Sequence, residues 1–585
     1  MEFTIDLPKN YQPPSLLQGP LFPPLQYKTL GQLLDDQALE RGENECIICP
    51  TLGTRWTYNT LRDESLHVAQ GLLAYGIKAG DRVGILAGNC AEYVAVFFAT
   101  GYIGAILVVL NNTYTKQEAK YALEHAGCKI LFTVPKFGRV SLRGLLNELG
   151  PRPYESGRSK SLMNVIMLRH TLGGFLTYAH VKKEGKRFGP DPLMRARVAV
   201  YPDDTCNLQF TSGSTGNPKA AMLTHLGSNL INNATSIGSR LDFTEDDILC
   251  CPPPLFHCFG LVLGVLAVIT HGAKIVIPSE TFDPKAVLHA LSEENCTALH
   301  GVPTMFEEVL NLPRPDGWSC DNLRTGIIAG APVPRPLMRR LLSELNMTEF
   351  TSSYGLTEAS PTCFNAFTSD TIDTRLTTVG RLLPHLKAKI INREGSIVPQ
   401  GSRGELCIAG YSLQKGYWNN SEKTNEGMKR DENGVLWLHT GDEASFNEDG
   451  YCTITGRFKD IIIRGGENIY PVEIEVRLCE HPSVARAVVV GIPDQKYGEV
   501  VAAFLQHTDA PSSSKETPSD EEIRDWTRQV LGRHKAPVYV FWFGQEGAPV
   551  EVPQTGSGKV KKPDLRVLGV KIVRERAGST IKAKL

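Results

Sequence analysis

A loop rich in glycine and hydroxyl residues is the segment of this 585-residue chain best suited to surround phosphate. Its residues are, in order, Thr211, Ser212, Gly213, Ser214, Thr215 and Gly216, and Lys219 follows. Backbone N–H groups, hydroxyls and an ammonium can together enclose a polyphosphate. The Walker order G-x-x-x-x-G-K-[ST] is absent, so the loop is not of that class. Alone, such a loop is more often a flexible linker, but apolar residues on both sides indicate a loop between ordered elements.

A second glycine-rich segment, Gln554 to Val560, places Lys559 directly after Gly-Ser-Gly. A cation on a mobile loop can stabilise the negative charge that develops when a carboxylate attacks a phosphate. Surface lysines are usually solvated, and we expect this of the neighbouring Lys561 and Lys562. The glycines before Lys559 single it out as a candidate catalytic cation.

Two further segments carry groups that suit a nucleotide. In the run Ser353 to Glu358, the Tyr354 ring can lie against a flat base and Thr357 can bond a phosphate. The carboxylate of Glu358 can hold Mg²⁺ between phosphates. Asp442, after Thr-Gly, has two oxygens that can accept both hydroxyls of a vicinal diol. Each segment taken alone also fits an ordinary turn.

The elements that must position these groups alternate between short apolar strands and amphipathic helices. Strands are predicted at Arg82–Leu86, Lys129–Phe132 and Lys274–Ile277, and helices at Thr115–Ala126 and Pro284–Asn295. Such alternation is typical of α/β layers with largely parallel strands. Because a single core rarely exceeds about 250–300 residues, two or more domains are expected.

Composition excludes several classes of protein. Lys plus Arg total 62 against 63 for Asp plus Glu, which gives no sign of a nucleic-acid partner. The 14 cysteines are spread from Cys46 to Cys479, so we expect reduced intracellular thiols and no disulfide scaffold. Cys46 and Cys49 form one C-x-x-C without a second pair, which favours buried thiols over a metal site.

The apolar run Tyr93 to Leu110 is close to the length needed to span a bilayer. Gly101 and Gly104 interrupt it, so we interpret it as a helix, a turn and a buried strand of a soluble protein. No signal peptide is predicted at the N-terminus. The last three residues, Ala583-Lys584-Leu585, are close to the Ser-Lys-Leu peroxisomal address, which predicts a peroxisomal protein and an import receptor as partner. A chance basic tail is the alternative, and the location is then cytoplasmic.

Taken in order, the segments resemble those of the adenylate-forming superfamily, which includes acyl-CoA synthetases, 4-coumarate–CoA ligases, firefly luciferase and peptide-synthetase adenylation domains. Matching segments run from near Leu30 to near Arg566, and several ordered matches make coincidence improbable. Ala220 departs from the glycine that usually follows the loop lysine. Ser352-Ser353 stand where the family often has Gln-Gly before the tyrosine.

The resemblance implies an α/β fold with a large N-terminal multi-layer domain and a smaller mobile α+β domain. We place the AMP-binding adenylation domain at 1–457 and the mobile domain, with the catalytic Lys559, at 458–585. The boundary follows from Arg457, which matches a ribose or phosphate contact, and from Lys459, which matches the hinge. Gly466 matches the glycine that lines the pantetheine tunnel.

The resemblance also assigns the remaining site residues. The phosphate loop, Thr211 to Lys219, would hold the phosphates, with Glu358 and Thr215 as Mg²⁺ ligands. His257 would line the carboxylate side of the acyl pocket, and Asp442 would hold the ribose. The residues expected against adenine and the acyl group are Ala329, Gly330, Ala331, Ser353 and Tyr354.

The expected activity is ATP-dependent acid–CoA ligation, through an acyl-adenylate and pyrophosphate and then through a thioester and AMP. ATP, Mg²⁺ and coenzyme A are the implied cofactors. The acid is expected to be a medium-chain fatty acid or an acid of specialised metabolism. The alternative is an adenylating enzyme that loads a carrier protein. A luciferase-like oxidation and an inactive nucleotide sensor are further possibilities, and the presence of Lys559 and Glu358 argues against the sensor.

Overall fold

The computed structural model describes residues 12–151, 162–211, 218–225, 230–330, 335–508, 517–545, 547–555 and 560–582. Within these ranges, four sheets of five or more strands and a two-stranded hairpin, Lys136–Phe137 with Val140–Ser141, form the β-structure. Three of the large sheets share one core in the N-terminal part of the chain. The fourth belongs to the C-terminal part.

The first sheet is mostly parallel and carries the phosphate-loop segment at its edge. Its strands are, in spatial order, Leu176–Thr177, Asn164–Met167, Cys128–Thr133, Arg82–Leu86, Ile106–Val109, Thr205–Thr211 and Lys219–Thr224. Only the last pair of neighbours is antiparallel. Thr211 lies opposite Lys219 in this hairpin, so the two described ends of the predicted phosphate loop face each other.

The second sheet has a parallel centre and antiparallel edges. Its strands are, in order, Arg381–Leu382, Thr362–Asn365, Glu349–Gly355, Thr325–Ile328, Ala298–Leu299, Ile248–Cys250, Lys274–Val276, Glu45–Cys49 and Thr54–Thr57. Ile328 is in register with Ser352, so the carboxyl ends of these two parallel strands lie side by side. Ligands of open α/β sheets bind at such ends.

The third sheet is antiparallel and contains the predicted ribose-binding residue. Its strands are, in order, Leu16–Gln18, Leu386–Ile391, Gly404–Gly410, Leu436–Phe446 and Met428–Arg430, and Cys452–Arg457 also pairs with Leu436–Phe446. Buried residues from all three sheets, such as Val83, Ile275 and Leu406, belong to one continuous core. These sheets therefore make up a single large domain.

The C-terminal sheet has a core of its own. Its strands are, in order, Glu467–Ile469, Ile462–Arg464, Gly498–His507 and Val484–Asp494, and Tyr539–Trp542 pairs in parallel with Gly498–His507. Alternate residues pack to opposite faces, as expected for a strand. Val489 and Leu505 contribute to one apolar cluster, and Val488 and Phe504 to the other. The smaller domain is thus a sheet covered on both faces.

Helices cover the sheets and connect their strands. The α-helices are Leu30–Arg41, Tyr58–Ala74, Ala91–Tyr102, Lys116–Ala126, Arg143–Leu149, Tyr178–Phe188, Asp191–Val198, Leu230–Arg240, Ala267–His271, Pro284–Glu293, Pro303–Leu310, Arg335–Glu344, Ile372–Thr377, Ser421–Gly427, Pro471–Cys479, Asp520–Arg528 and Lys562–Lys582. Short 3₁₀ turns lie at Pro50–Leu52, Thr357–Ala359, Phe458–Asp460 and Arg533–Lys535, and Phe259–Leu266 is a π-helix.

Most of the sequence-based element predictions are confirmed within a residue or two. The helix predicted at Thr115–Ala126 begins after Thr115. The Thr115 side chain accepts from the N–H of Glu118, and the Glu118 side chain accepts from the N–H of Thr115. This capping box satisfies N–H groups that the first turn cannot. The helix predicted at Pro284–Asn295 ends at Glu293, and Asn295 has φ 51°, outside the helical range.

The long apolar run is resolved into the three elements that its glycines predict. The helix Ala91–Tyr102 is followed by Gly104 at φ 67°, and then by the strand Ile106–Val109. Among the described residues, no helix has the length and apolar character needed to cross a membrane. Cys46 and Cys49 are fully buried, as predicted.

Candidate active site

Asp442 is the buried centre of a polar cluster formed by three segments. It belongs to the strand Leu436–Phe446 and is only 3% exposed. The hydroxyl of Tyr354 donates to its Oδ2 at 2.6 Å, and Nε of Arg457 lies 2.8 Å from its Oδ1. Asp442 and Arg457 are also cross-strand partners. Asp442 and Arg457 are brought together by the pairing of their two strands. Tyr354 reaches them from near the carboxyl end of a strand in the second sheet.

The electrostatics of this cluster keep the Tyr354 phenol protonated and the Arg457 guanidinium charged. Burial raises the pKa of Tyr354, and the negative charge of Asp442 raises it further, so the phenol stays protonated. Burial alone would lower the pKa of Arg457, but Asp442 and other nearby negative groups outweigh it and raise that pKa. A hydroxyl donor and a cation therefore hold Asp442 in a fixed orientation.

Glu358 and Lys219 are joined through a residue that sequence analysis missed. The hydroxyl of Tyr417 donates to Glu358 Oε1 at 2.7 Å, and Nζ of Lys219 lies 5.1 Å from the centroid of the Tyr417 ring. Cation–π contact at this distance is attractive. Tyr417 stands after a glycine in a loop, and no local pattern marks it out. Only the folded arrangement indicates its place between carboxylate and lysine.

Backbone bonds fix the loop that carries Tyr417. The N–H of Trp418 donates to the carbonyl of Ala220 at 2.8 Å, and the N–H of Lys415 donates to that of Met222 at 2.9 Å. The N–H of Gln414 donates to the carbonyl of Glu358 at 2.9 Å. The loop thus links the strand that begins at Lys219 to the 3₁₀ turn Thr357–Ala359, which contains Thr357 and Glu358.

The predicted adenine and acyl segments lie at adjacent strand ends. Ala329 and Gly330 follow the strand Thr325–Ile328, and Gly330 has φ 89°, a conformation that favours glycine. Ser353 and Tyr354 lie near the end of the neighbouring strand Glu349–Gly355. The Ser353 hydroxyl is only 3.5 Å from the carbonyl of Phe364, at the limit of a hydrogen bond. Ala331 lies outside the described residues.

His257 precedes an unusual helix. Its Nδ1 accepts from the N–H of Phe259 at 3.1 Å, and the imidazole is half-buried. The segment Phe259–Leu266 is a π-helix whose eight residues are all buried. π-Helices are rare and frequently occur at functional sites. Sequence analysis did not predict this geometry, since the apolar run Phe-Gly-Leu-Val-Leu-Gly-Val-Leu does not distinguish π from α.

The predicted residues of the C-terminal domain are less enclosed. Lys459 is exposed in the 3₁₀ turn Phe458–Asp460, directly after Arg457. Gly466 is exposed with φ 88°, and a Cβ built there would meet no atom within 4 Å. Across the described ranges, no hydrogen bond or ion pair joins Lys459 or Gly466 to the Asp442 cluster.

The ends of the lysine loop are described although the loop itself is not. Gln554 and Val560 form an isolated antiparallel bridge, and Lys559 between them lies outside the described residues. Burial, and then the charge of Glu551, raises the pKa of Glu308. The chain that leads to this loop therefore lies near the helix Pro303–Leu310 of the large domain. Of the phosphate loop, Ser212, Gly213, Ser214, Thr215 and Gly216 also lie outside the described residues.

Comparison with known families decides the assignment. A family model described as "AMP-binding enzyme" matches residues 34–418, and its "AMP-binding enzyme C-terminal domain" matches residues 473–559. The chain belongs to the AMP-binding enzyme family. This confirms the resemblance to the adenylate-forming superfamily that the ordered motifs predicted.

Curated relatives of this AMP-binding enzyme are acyl-CoA ligases. The chain is 62% identical to "Acyl-CoA ligase sidI" of Aspergillus fumigatus over 99% of this chain and 97% of that protein. It is 60% identical to "Acyl-CoA ligase SID4" of Ajellomyces capsulatus over 97% of this chain and 95% of the relative. Identity to the human "Medium-chain acyl-CoA ligase ACSF2, mitochondrial" is 36% over 94% of this chain and 89% of that protein.

Solved structures show the same fold. The anthranilate CoA ligase AuaEII, in complex with anthranoyl-AMP, superimposes with a TM-score of 0.79 at 24% identity, over 92% of this chain and 97% of that one. ATP-bound MatB from Rhodopseudomonas palustris gives a TM-score of 0.75 at 25% identity, over 94% of this chain and 100% of that one. The AMP-binding enzyme thus has the predicted α/β fold with a large N-terminal and a smaller C-terminal domain, and it is an ATP-dependent, AMP-forming acid–CoA ligase.

Proposed function

We propose that the Asp442 cluster binds the nucleotide through its ribose and so fixes the α-phosphate for attack by the substrate acid. The observation that supports this most is the buried carboxylate with one oxygen on Tyr354 and the other beside Arg457. An oriented carboxylate can accept both hydroxyls of a ribose. The Tyr354 ring, at the carboxyl end of its strand, would lie against adenine beside Ala329, Gly330 and Ser353.

The phosphates would lie between the glycine-rich loop and the Glu358 turn. Lys219 and the loop N–H groups would bind the β- and γ-phosphates, and the Thr357 hydroxyl the α-phosphate. Glu358 and Thr215 would hold Mg²⁺, whose charge would neutralise the phosphate oxygens. The donor set fits this ion, because both groups offer the hard oxygen ligands that Mg²⁺ prefers. Tyr417, bonded to Glu358 Oε1, would act as a positioning residue for that carboxylate.

The first half-reaction forms an acyl-phosphate anhydride. A carboxylate oxygen of the acid, held near His257, attacks the α-phosphorus, and the bond to the β-phosphate oxygen breaks, so pyrophosphate leaves. Both reactants are negative, so the barrier falls when a cation lies between them. Lys559 would supply that cation from its loop, whose base lies near the helix Pro303–Leu310.

The second half-reaction transfers the acyl group to CoA. The CoA thiolate attacks the acyl carbon, the bond to the AMP oxygen breaks, and acyl-CoA and AMP form. We place the domain boundary after Arg457, with Lys459 as the hinge, because this exposed turn is the link between the third sheet and the C-terminal sheet. Rotation there would withdraw Lys559 and bring Gly466 to the CoA tunnel. Such closure lets one site run two reactions.

The substrate we propose is a medium-chain fatty acid or an acid of specialised metabolism. The relatives support this range, since one is a human medium-chain acyl-CoA ligase and two are acyl-CoA ligases of fungi. A panel of acids, with thioester detection by mass spectrometry, would identify it.

For location we propose the peroxisome, from Ala583-Lys584-Leu585, which lie outside the described residues. Imaging a tagged chain with and without these three residues tests this against the mitochondrial location named for the human relative.

The reaction sequence is tested by following each half separately. Acid-dependent exchange of labelled pyrophosphate into ATP measures the first, and AMP release with and without CoA measures the second. Exchange together with CoA-dependent AMP release is expected. Exchange without thioester formation would contradict CoA as acceptor and favour a carrier protein. Absence of exchange with every acid tested would contradict the adenylation step itself.

A further inference from the structure

Three different potential metal ligands, none of them assigned to nucleotide chemistry, lie together on one face of the third sheet. Cys407 is directly opposite His439 in antiparallel register. Glu405 precedes Cys407 by two residues, so its side chain is on the same face. Their ligand atoms all lie within 4.8 Å of one another. Such a mixture of thiol, imidazole and carboxylate is distinct from an acidic surface cluster.

We propose that Glu405, Cys407 and His439 bind a borderline-soft divalent metal ion of the zinc class. Sγ of Cys407 lies 3.6 Å from Nδ1 of His439, and that nitrogen lies 3.0 Å from Oε2 of Glu405. Around a tetrahedral Zn²⁺ with bonds of about 2.0–2.3 Å, neighbouring ligand atoms are roughly 3.3–3.6 Å apart. The two contacts of His439 are close to this spacing, and Sγ of Cys407 and the Glu405 carboxylate, within 4.8 Å of each other, would move together to coordinate one ion.

The surroundings set the kind of metal and its strength of binding. Sulfur and nitrogen donors select zinc-like ions over Mg²⁺ and Ca²⁺, which prefer oxygen alone. The side chains of His439 and Glu405 are 20% and 25% exposed, so the ion can enter from solvent and keep water as its fourth ligand. Lys389, whose Nζ lies 4.2 Å from the centroid of the Trp437 ring, and Lys429 are close by. Their positive charges weaken the site, so we expect reversible rather than structural binding.

Metal binding here would oppose nucleotide binding, a consequence that rests on the proposed role of Asp442. Oε1 of Glu405 accepts from the N–H of Gly441 at 3.2 Å, and Gly441 has φ 69° immediately before Asp442. An ion bound through Oε2 that draws the Glu405 carboxylate towards Cys407 would weaken this support of the turn. Because coupling between two ligands is reciprocal, nucleotide would also weaken the metal.

Cobalt titration of the full chain tests the site without reference to catalysis. Co²⁺ bound by a thiolate gives a near-ultraviolet charge-transfer band, which we expect to grow to one equivalent and to disappear on addition of Zn²⁺. Cys407→Ser should remove the band, and His439→Gln should weaken it. Cys479→Ser, at a partly buried cysteine of the C-terminal domain, is the matched control and should keep it. No band in the unmodified protein, or a band that survives Cys407→Ser, would overturn the proposal.

A second measurement tests the coupling. AMP affinity is measured for the unmodified chain and for Cys407→Ser. Each protein is measured twice, once metal-free and once loaded with Zn²⁺ and then freed of excess metal. Weaker AMP binding only in the loaded, unmodified chain is expected. If the AMP affinities are equal although the unmodified chain still binds Co²⁺, the coupling is wrong and the metal site stands. Asp442→Asn separates the two proposals: if it leaves AMP affinity unchanged, the role given to Asp442 is wrong while the metal site stands.

Discussion

The two regions proposed for the two half-reactions are built differently. Around Asp442, Tyr354 and Arg457 make short contacts with a carboxylate that is 3% exposed. Around Gly466, the chain is exposed and no atom lies within 4 Å of a built Cβ. The proposed nucleotide side is therefore held by short contacts, whereas the proposed thioester side is open in this arrangement of the domains.

This difference indicates where each kind of residue acts. In the proposed mechanism, rigid strands hold the groups that would stay on the nucleotide through both steps, and preorganised donors and charges stabilise a transition state effectively. The groups proposed to act in only one step, Lys559 and Gly466, would lie on the domain proposed to move. Mutations in the two regions should accordingly separate into those that affect adenylation and those that affect only the transfer to CoA.

The largest effect is expected for Lys559→Ala. Removing the cation from the crowded negative charge should slow adenylate formation about 10²–10³-fold. Transfer from a supplied acyl-adenylate to CoA should remain near normal, because the proposed rotation withdraws Lys559 before that step. Single-turnover pyrophosphate release and thioester formation measure the two steps. Lys561→Ala, two residues away and exposed, is the control; adenylation at the unmodified rate in Lys559→Ala would show that the proposed chemistry is wrong.

Gly466→Leu should give the reverse pattern. A side chain has room there in the present arrangement, so adenylation should persist, although a non-glycine residue at φ 88° costs about 1–2 kcal/mol. After rotation the leucine would block the CoA tunnel and slow thioester formation by roughly 10–100-fold. Gly544→Leu, also at positive φ with open space, controls for backbone strain. Equal loss in both half-reactions would remove the distinction between the regions.

A smaller effect is expected for Tyr417→Phe. Loss of the hydroxyl removes a bond to a charged group, worth roughly 1.5 kcal/mol, or about tenfold in adenylation rate. Because Glu358 would lose its orientation, the Mg²⁺ concentration for half-maximal rate should rise, which a general loss of stability would not produce. Tyr451→Phe, which removes a similar bond to Asp370, is the control. An unchanged Mg²⁺ dependence would exclude the positioning role.

The smallest effect concerns acid stability and compares the two domains. Burial lowers the pKa of both His225 and His300, in the large domain, to about 4. Below about pH 6.5 the unfolded chain binds protons that the folded chain does not, so stability falls as pH falls from 6.5 towards 4. At pH 6 this amounts to about 1 kcal/mol for each histidine.

Hydrogen exchange at pH 7.5 and pH 6 measures this domain by domain. His481 and His507 of the C-terminal domain also have lowered pKa values, but neither side chain is fully buried, so a smaller loss is expected there. His300→Gln should reduce the difference in the large domain. If the C-terminal sheet is more sensitive to acid than the large domain, the attribution of the loss of stability to His225 and His300 is wrong.

Local sequence was sufficient where a feature depends on neighbours along the chain. The helix that starts near Thr115, the turn at Gly104 and the strand Arg82–Leu86 were predicted from helical periodicity, glycine and a short apolar run, respectively. The order of motifs was sufficient for the family and the activity. Both kinds of signal can be recognised without knowledge of contacts between residues that are far apart in the sequence.

Tertiary contacts were not predictable in the same way. Tyr417 meets Glu358 across 59 positions, and Cys407 meets His439 across 32. Neither pair has a spacing that a helix or a single strand would impose. The π-helix Phe259–Leu266 depends on packing, because its apolar run fits an α-helix equally well. The roles of residues on undescribed loops, Lys559 above all, stay predictions.

The position of Arg457 has one consequence for the order of events. It is the last residue of the strand Cys452–Arg457, and the turn with Lys459 begins at the next residue. If Lys459 is the hinge, as proposed, rotation there would act on the end of the strand that carries the Arg457 guanidinium. If Arg457 also contacts the nucleotide, chain connectivity by itself would couple nucleotide occupancy to domain orientation, with no relay of side chains between them.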